Sequence, residues 1–138
     1  VDHRQPRGSS RELFKGVLAG KSRGIFNGRV IVRKDAQQTD AQQKNENLLL
    51  GVGAEVDSQP QLEIEADDVK CSHGSTIGQL DEDAVFYLRS RAIGEAEAEA
   101  MLTRGFAAQI TERIANAALR ERIESLVMAR LFARELPA

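Results

Sequence analysis

The stretch "NENLLLGVGAEVDSQPQLEIEADDVKCSHGSTIGQL", residues 45–80, decides the fold class of this chain. It contains several short candidate strands, rich in apolar or β-branched residues and separated by turn-forming residues. The candidate strands are Leu48–Leu50, Ala54–Val56, Leu62–Ala66 and Val69–His73, and the turn-forming residues are Gly51, Gly53, Asp57, Ser58 and Pro60. Short strands at near-regular spacing, with no helical pattern between them, predict a sheet, a sandwich or a solenoid. Strand propensity alone does not choose among the three.

The residues before this stretch extend the strand pattern but leave one segment open. In "GIFNGRVIVRKD", residues 24–35, the Asn27-Gly28 pair is a turn signal, and a β-branched run follows it. The polar segment 33–47 contains the near-repeat "DAQQ" at 35–38 and again at 40–43. Such a segment fits either low-complexity disorder or an outward-facing polar strand with a turn.

The chain changes character near residue 80, where all five lysines have already appeared and helical periodicity begins. Asp81, Glu82 and Asp83 are acids at a predicted helix start, where they favour the positive end of the helix dipole. We predict three helices, over 82–93, 95–115 and 117–135. Gly94 separates the first from the second, and Asn116 caps the third. The predicted domains are therefore residues 1–80, built from strands, and residues 81–138, built from helices.

An apolar stripe runs along the second predicted helix, where Leu102, Phe106, Ile110 and Ile114 recur every fourth residue. The third carries consecutive apolar residues at 126–128, so it is apolar on more than one face. That excess fits a packed helical core or a docking surface for another chain.

Composition bounds the class of protein. The chain has 138 residues, a net charge of −2, 41% hydrophobic and 29% charged residues, one cysteine and no tryptophan. These values fit a globular protein and give no sign of general attraction to nucleic acid or membranes. One cysteine excludes an internal disulfide and favours a reducing compartment. The start has neither an initiating Met nor a signal-peptide pattern, so we expect a piece of a longer chain.

Cys71 and His73 form the one candidate chemical site. Side chains two apart on a strand share a face, with Cα atoms roughly 6.5–7 Å apart. A thiolate and an imidazole suit zinc or iron, but a tetrahedral site needs about four ligands. Three interpretations stay open at this point: two ordinary strand residues, part of a shared metal site, or a reactive thiol. No phosphate-binding loop, dinucleotide fingerprint or serine nucleophile motif is present, so the chain is not the ATP-hydrolysing part of a P-loop machine.

Four quoted segments carry a resemblance to a known family. They are "FNGRVIV" (26–32), "TDAQQKNENLLL" (39–50), "LEIEADDVKCSHG" (62–74) and "FYLRSR" (86–91). Together they resemble the SufB/SufD family of iron–sulfur cluster assembly proteins, over roughly residues 9 to 115. "ADDVKCSHG" looks like the SufD type, and Ser75 departs from the alanine usual there. The resemblance implies the end of a right-handed parallel β-helix over 1–80 and a C-terminal α-helical domain over 81–138. It also implies that the polar segment is outward-facing rather than disordered.

The resemblance further implies a non-catalytic scaffold subunit in the cytoplasm. Its last strands would pair with a SufB-like subunit, and its helices would dock a SufC-like ATPase. His73, with Cys71 as its neighbour, would be the iron or cluster ligand at the subunit interface, where the cluster or iron is transient and not held tightly by the isolated chain. The candidates for docking the ATPase are Asp81, Arg89, Arg91 and Glu95.

Other functions remain open beside the scaffold. An open strand edge can pair with a second copy, so the isolated chain can form a homodimer. The alternatives are an independent metal-binding or thiol protein that uses Cys71 and His73, and a pure oligomerisation module. The resemblance implies no nucleic acid and no membrane as partners.

Overall fold

A computed structural model describes residues 1–132 of the chain. The chain divides into two compact units, Val1–Gln79 and Leu80–Ala138. The first unit holds all the strands of the described residues and the second holds the helices. We describe each unit by itself.

Six parallel strands build the first unit, and they alternate between two sheets. The strands are β1 (Asp2–His3), β2 (Ser9–Ala19), β3 (Arg23–Val32), β4 (Asp40–Leu50), β5 (Glu55–Ile64) and β6 (Lys70–Gly78). One sheet has the order β1-β3-β5 and the other β2-β4-β6. Each strand therefore pairs with the strand two places along the chain, with a repeat of about 30 residues. The class is mixed, with strands followed by helices as the sequence predicts, and the strands are parallel as the resemblance implies.

The interior of the first unit holds an apolar cluster followed by a polar section. Its apolar cluster is made of small aliphatic residues, namely Val30, Val32, Ala36, Ala41 and Ala66. Further along β4, Gln43, Asn45 and Asn47 are buried instead. The structure decides between the two interpretations of the polar segment in favour of a strand, as the resemblance implies, but the prediction that its polar side chains face outward is wrong for alternate residues. Residues 40–47 are strand rather than disorder, and the alternate amides point inward because the outward positions carry Lys44 and Glu46.

The predicted turn at Asn27-Gly28 is wrong, because both residues lie inside β3. Gly28 faces the interior, and a Cβ there would lie 2.7 Å from Gln43 Oε1. The glycine leaves room for a large buried side chain on the facing sheet instead of making a turn.

Asp57, Ser58 and Pro60 are also not turn residues, since β5 runs through all three. Glu55 N donates to Ser22 O at 3.0 Å and Glu65 N donates to Val32 O at 2.8 Å, so odd residues of β5 direct their backbone toward β3. In a parallel strand, alternate residues bond to opposite sides. Pro60 therefore has its missing N–H on the side away from β3, where an edge strand tolerates proline.

Ion pairs between neighbouring strands line the outer faces. Arg11 Nη2 lies 2.6 Å from Asp40 Oδ2 and Arg29 Nε lies 3.5 Å from Glu63 Oε1, while Arg23 pairs with Asp57. Such exposed pairs are weak and screened by salt, so they add little to stability.

Asp2 lies between two guanidinium groups at the start of the chain. Arg4 Nη2 is 2.8 Å and Arg33 Nε is 3.1 Å from its carboxylate oxygens. The hydrogen bonds from Arg4 and then from Arg33 hold the pKa of Asp2 below its usual value of 3.8. The Asp2 carboxylate in turn raises the pKa of Arg33.

Three helices make up the second unit: α1 (Glu82–Ser90), α2 (Glu95–Thr111) and α3 (Ala117–Phe132). Asp81 Oδ1 caps α1 by accepting from Asp83 N at 2.9 Å, and Asn116 Oδ1 accepts from Leu119 N at 3.0 Å near the start of α3. The Asn116 cap stands where the sequence predicts it, and Asp81, predicted as an acid at a helix start, is the cap of α1, because both side chains satisfy free N–H groups of a first turn. Residues 133–135 of the third predicted helix lie outside the described residues.

Within residues 1–132, no helix has the length and apolar character needed to cross a membrane.

Candidate functional site

Cys71 and His73 lie on β6 and share one face, as their spacing predicts. In register, Cys71 is beside Ala41 and His73 is beside Gln43 on β4. Ala41 and Gln43 are both buried between the sheets. Neighbours in register on a parallel sheet point to the same side. The structure therefore places both candidate ligands on the inward-facing side of the last strand.

Cys71 sits at the apolar end of this face. Its side chain is half-buried and packs against the apolar cluster that includes Val30 and Ala41. These contacts favour a packing role for Cys71 over a reactive thiol.

His73 is exposed, in contrast, because β6 is the outermost strand of its sheet in the described chain. Among residues 1–132 its imidazole makes no side-chain hydrogen bond or ion pair. A ring on an outer strand with neither nitrogen engaged can reach a group on another chain.

A polar row leads inward from His73 across the sheet. Glu12 on β2, Gln43 on β4 and His73 on β6 are in register. Gln43 Nε2 donates to Glu12 Oε2 at 3.1 Å. The remaining oxygens, Glu12 Oε1 and Gln43 Oε1, are buried without a hydrogen-bond partner. Sequence reasoning missed Glu12 and Gln43, although alternation of amides with charged residues along 42–47 is a usable signal.

A second polar network lies one level further along the strands. Asn45 Oδ1 accepts from Asn47 Nδ2 at 2.6 Å and from Ser58 Oγ at 2.7 Å. Ser75 Oγ on β6 lies 2.7 Å from Ser58 Oγ. These bonds join the two sheets and satisfy buried groups, so they fix the part of β6 that follows His73.

The four docking candidates on the helices mostly have partners in their own chain. Asp81 caps α1, and Arg89 Nη1 lies 3.4 Å from Glu95 Oε2. Arg91 lies over the Tyr87 ring, 5.0 Å from its centroid. Within the described helices, Phe86 stands out because 72% of its surface is exposed. Sequence reasoning did not identify Phe86 as a surface residue.

Within residues 1–132, no three His, Cys, Asp or Glu side chains are grouped so that they could hold a metal ion. Cys71 and His73 share a face, and the Glu12 carboxylate of the same row lies two strands away, beyond Gln43. What the described chain offers is one exposed imidazole with a half-buried thiol next along the same face.

Comparison with known proteins gives a family match. Residues 1–106 match the family of the SUF system for FeS cluster assembly, SufBD core domain. The chain is 44% identical over 131 residues, 95% of its length, to the iron-sulfur cluster assembly protein SufD of Escherichia coli. It is 42% identical over 125 residues, 91% of its length, to an iron-sulfur cluster assembly SufBD family protein of Synechocystis, and 40% identical over 131 residues, 89% of its length, to one of Mycobacterium leprae. It spans 31%, 28% and 33% of these three relatives.

Proposed function

The chain belongs to the SufBD core domain family of the SUF system, and from this premise we propose that it is the C-terminal part of a SufD-type scaffold subunit for iron–sulfur cluster assembly. The scaffold has no catalysis of its own and works in the cytoplasm. The observation that carries the proposal is the exposed imidazole of His73 on the inward face of an outer strand.

The six strands are proposed to be the last turns of a right-handed parallel β-helix. Support comes from the alternation of parallel strands between two sheets, with a repeat of about 30 residues. Right-handed connections between parallel strands are by far the more frequent. A coil of this kind presents its final strands, β5 and β6, as an edge.

That edge is proposed to pair with the SufB-like subunit. Lys70 N donates to Thr39 O at 2.8 Å, so even residues of β6 direct their backbone toward β4. Odd residues, including His73 and Ser75, then direct theirs toward the outer edge, where a strand of another chain can add. In the absence of the SufB-like subunit, a second copy can occupy the same edge and form a homodimer.

At this interface His73 would ligate the iron or the assembling cluster, which is cargo and not a resident group. The partner subunit would supply the remaining ligands, since a metal bound by thiolates and imidazoles needs about four. Cys71 is the less favoured ligand, because it is half-buried against the apolar cluster.

The helices are proposed to dock the SufC-like ATPase. Phe86 and Tyr87 on α1 are exposed, and Arg91 lies beside Tyr87. Aromatic and arginine side chains are enriched at protein interfaces. Arg89 and Glu95 already pair with each other, so they would contribute less to docking than Phe86.

The experiment is cluster reconstitution in the assembled complex with SufB-like and SufC-like subunits. His73→Ala should assemble normally and build clusters at least tenfold more slowly. Cys71→Ala should slow cluster formation much less. Ser72→Ala is the matched control, since Ser72 is exposed on the opposite face of the same strand. Wild-type cluster formation by an intact His73→Ala complex would refute the ligand assignment.

Docking is tested on the full chain by capture of a SufC-like ATPase. Phe86→Ser should weaken capture at least tenfold, because it removes an exposed aromatic anchor. Leu119→Ser is the control, since Leu119 is an exposed apolar residue at the start of α3. Equal capture by the two variants would remove α1 as the docking surface.

A further inference from the structure

Taking His73 as a ligand of the assembling cluster, as proposed above, we propose that Gln43 and Glu12 are positioning residues that hold its imidazole in one tautomer. One ring N–H donates to Gln43 Oε1, and the other nitrogen keeps its lone pair toward the outer edge. The Glu12 carboxylate fixes the orientation of the Gln43 amide that makes this possible.

The row is continuous across three strands. Glu12 pairs in register with Gln43, and Gln43 with His73. Adjacent strands lie about 4.8 Å apart, so each side chain is within reach of the next. Gln43 is 1% exposed, and its Nε2 is committed to Glu12 Oε2 at 3.1 Å. The amide oxygen is therefore the end of Gln43 that remains for a further partner.

The buried oxygens lack a donor. Glu12 Oε1 and Gln43 Oε1 are both unpartnered, and burying an unpaired acceptor is costly. The amide NH₂ of Gln43 can donate only to the two Glu12 oxygens and not to its own carbonyl oxygen, Gln43 Oε1. The unmet need is for a hydrogen-bond donor, which an imidazole N–H is.

The facing sheet does not supply that donor. At this level it presents Gly28, which lies against Gln43 Oε1, and Pro60, which is in register with Gly28. Glycine has no side chain, and proline has neither a side-chain donor nor an N–H. On the same sheet His73 is the next residue of the row, and its exposed ring can turn toward Gln43 on the timescale of rotamer changes.

The chemical consequence follows from how histidine binds metals. A ligating imidazole usually donates its second N–H to a carboxylate or carbonyl, which fixes the tautomer and raises the basicity of the ligating nitrogen. Loss of such a partner typically weakens metal affinity about 10- to 100-fold. The amide and carboxylate would thus prepare the His73 nitrogen before any iron arrives.

The test is the tautomer of His73 in the full chain without iron or sulfide. Ring ¹⁵N-labelled histidine is observed by long-range ¹H–¹⁵N correlation, about two pH units above the usual histidine pKa of ~6.5. Wild type should show one dominant tautomer. Gln43→Met, which keeps the length but not the amide, should change the tautomer ratio about fivefold, the size of one hydrogen bond. Glu12→Ala should change it in the same direction, and Glu12→Gln, which can still accept from Gln43, should restore it.

Gln42→Met is the matched control, because Gln42 is exposed on the outer side of the same strand. Its tautomer ratio should equal that of wild type. His3, the other histidine of the chain, bonds Ser10 Oγ at 3.0 Å and reports that the fold is intact. The same ratio in wild type and Gln43→Met, with His3 unchanged, would overturn the proposal. Because no cluster is present, this result is independent of whether His73→Ala impairs cluster formation.

Discussion

Gln43 fits the interior because Gly28 stands opposite it. A Cβ at residue 28 would lie 2.7 Å from Gln43 Oε1 and 2.7 Å from Phe26 Cζ. The buried Gln43 side chain has little room to yield. Gly28→Ala should therefore lower the free energy of unfolding by about 1–3 kcal/mol through overpacking, as a denaturant titration would measure.

Gly74→Ala is the control for this substitution. Gly74 lies on β6, and nothing lies within 4 Å of where its Cβ would be. Its unfolding free energy should stay within about 0.5 kcal/mol of wild type. Equal effects of the two substitutions would mean that the space above Gly28 does not limit packing.

The contacts of Asp2 make a pH-dependent contribution to stability. Hydrogen bonds from Arg4 and Arg33 lower its pKa, so folding favours the ionised form. Stability from this group is then present above its unfolded pKa, near 3.8, and is lost as the pH falls through the lower folded pKa. Asp2→Asn should destabilise the chain at pH 7 and have no effect once the pH is below the folded pKa, as unfolding curves across this range would show.

Asp67→Asn serves as the reference, since Asp67 is an exposed turn residue. At pH 7 its free energy of unfolding should equal that of wild type. If Asp2→Asn shows the same difference from wild type at both ends of the range, the carboxylate is not the source of the effect.

At the scale of elements, sequence patterns predicted the helices better than the strands. Asp81 and Asn116 are local signals, because a cap bonds N–H groups two or three residues away. Strand limits depended on pairing with residues about 30 positions distant. Gly28 and Pro60 look like turn residues until the facing Gln43 and the free edge of β5 are known.

The candidate site, like the fold, was predictable only in its local features. The shared face of Cys71 and His73 follows from strand periodicity alone. Their different surroundings do not, since they depend on Ala41 and Gln43, the register partners on β4. Glu12 entered the row only through pairing over the same distance, and the strand that carries it, Ser9–Ala19, was not predicted.

Substitutions at Asp81, the cap of α1, distinguish a role in helix stability from a role in ATPase docking. Asp81 Oδ1 accepts from the N–H groups of Asp83 and Ala84. Asp81→Ala should lower the free energy of unfolding of the helical unit by about 0.5–2 kcal/mol. Asp81→Asn keeps an acceptor and should retain most of that stability while removing the charge. Thermal unfolding followed by circular dichroism measures both.

Capture of a SufC-like ATPase by the same two variants completes the comparison. If Asp81 contacts the ATPase through its charge, Asp81→Asn should weaken capture although α1 stays capped. Full capture by Asp81→Asn would assign Asp81 to capping alone. Equal unfolding of Asp81→Ala and wild type would instead refute the capping role.

At the scale of the whole molecule, stacking within the sheet and pairing with a partner use different backbone groups of β6. Even residues bond to β4, as Lys70 does to Thr39. Odd residues direct their N–H and C=O toward the outer edge. A proline at an odd position of β6 therefore removes an N–H that faces the partner, whereas a proline at an even position removes an N–H that bonds to β4.

Ser75→Pro should spare folding and impair pairing with a SufB-like subunit. It removes an edge-facing N–H, and Ser75→Ala corrects for the lost contact with Ser58 Oγ at 2.7 Å. Relative to Ser75→Ala, the unfolding midpoint of the chain alone should change little. Affinity for the partner should fall about tenfold or more, because the added strand loses one hydrogen bond and clashes with the proline ring. Thr76→Pro should instead break the ladder to β4 and lower the unfolding midpoint itself. Denaturant unfolding and sedimentation with the SufB-like subunit distinguish the two. If Ser75→Pro bound the partner as tightly as Ser75→Ala does, subunits would not join by strand addition at β6. On that edge the only backbone donors for an added strand are the N–H groups of alternate residues, and Ser75 carries one of them.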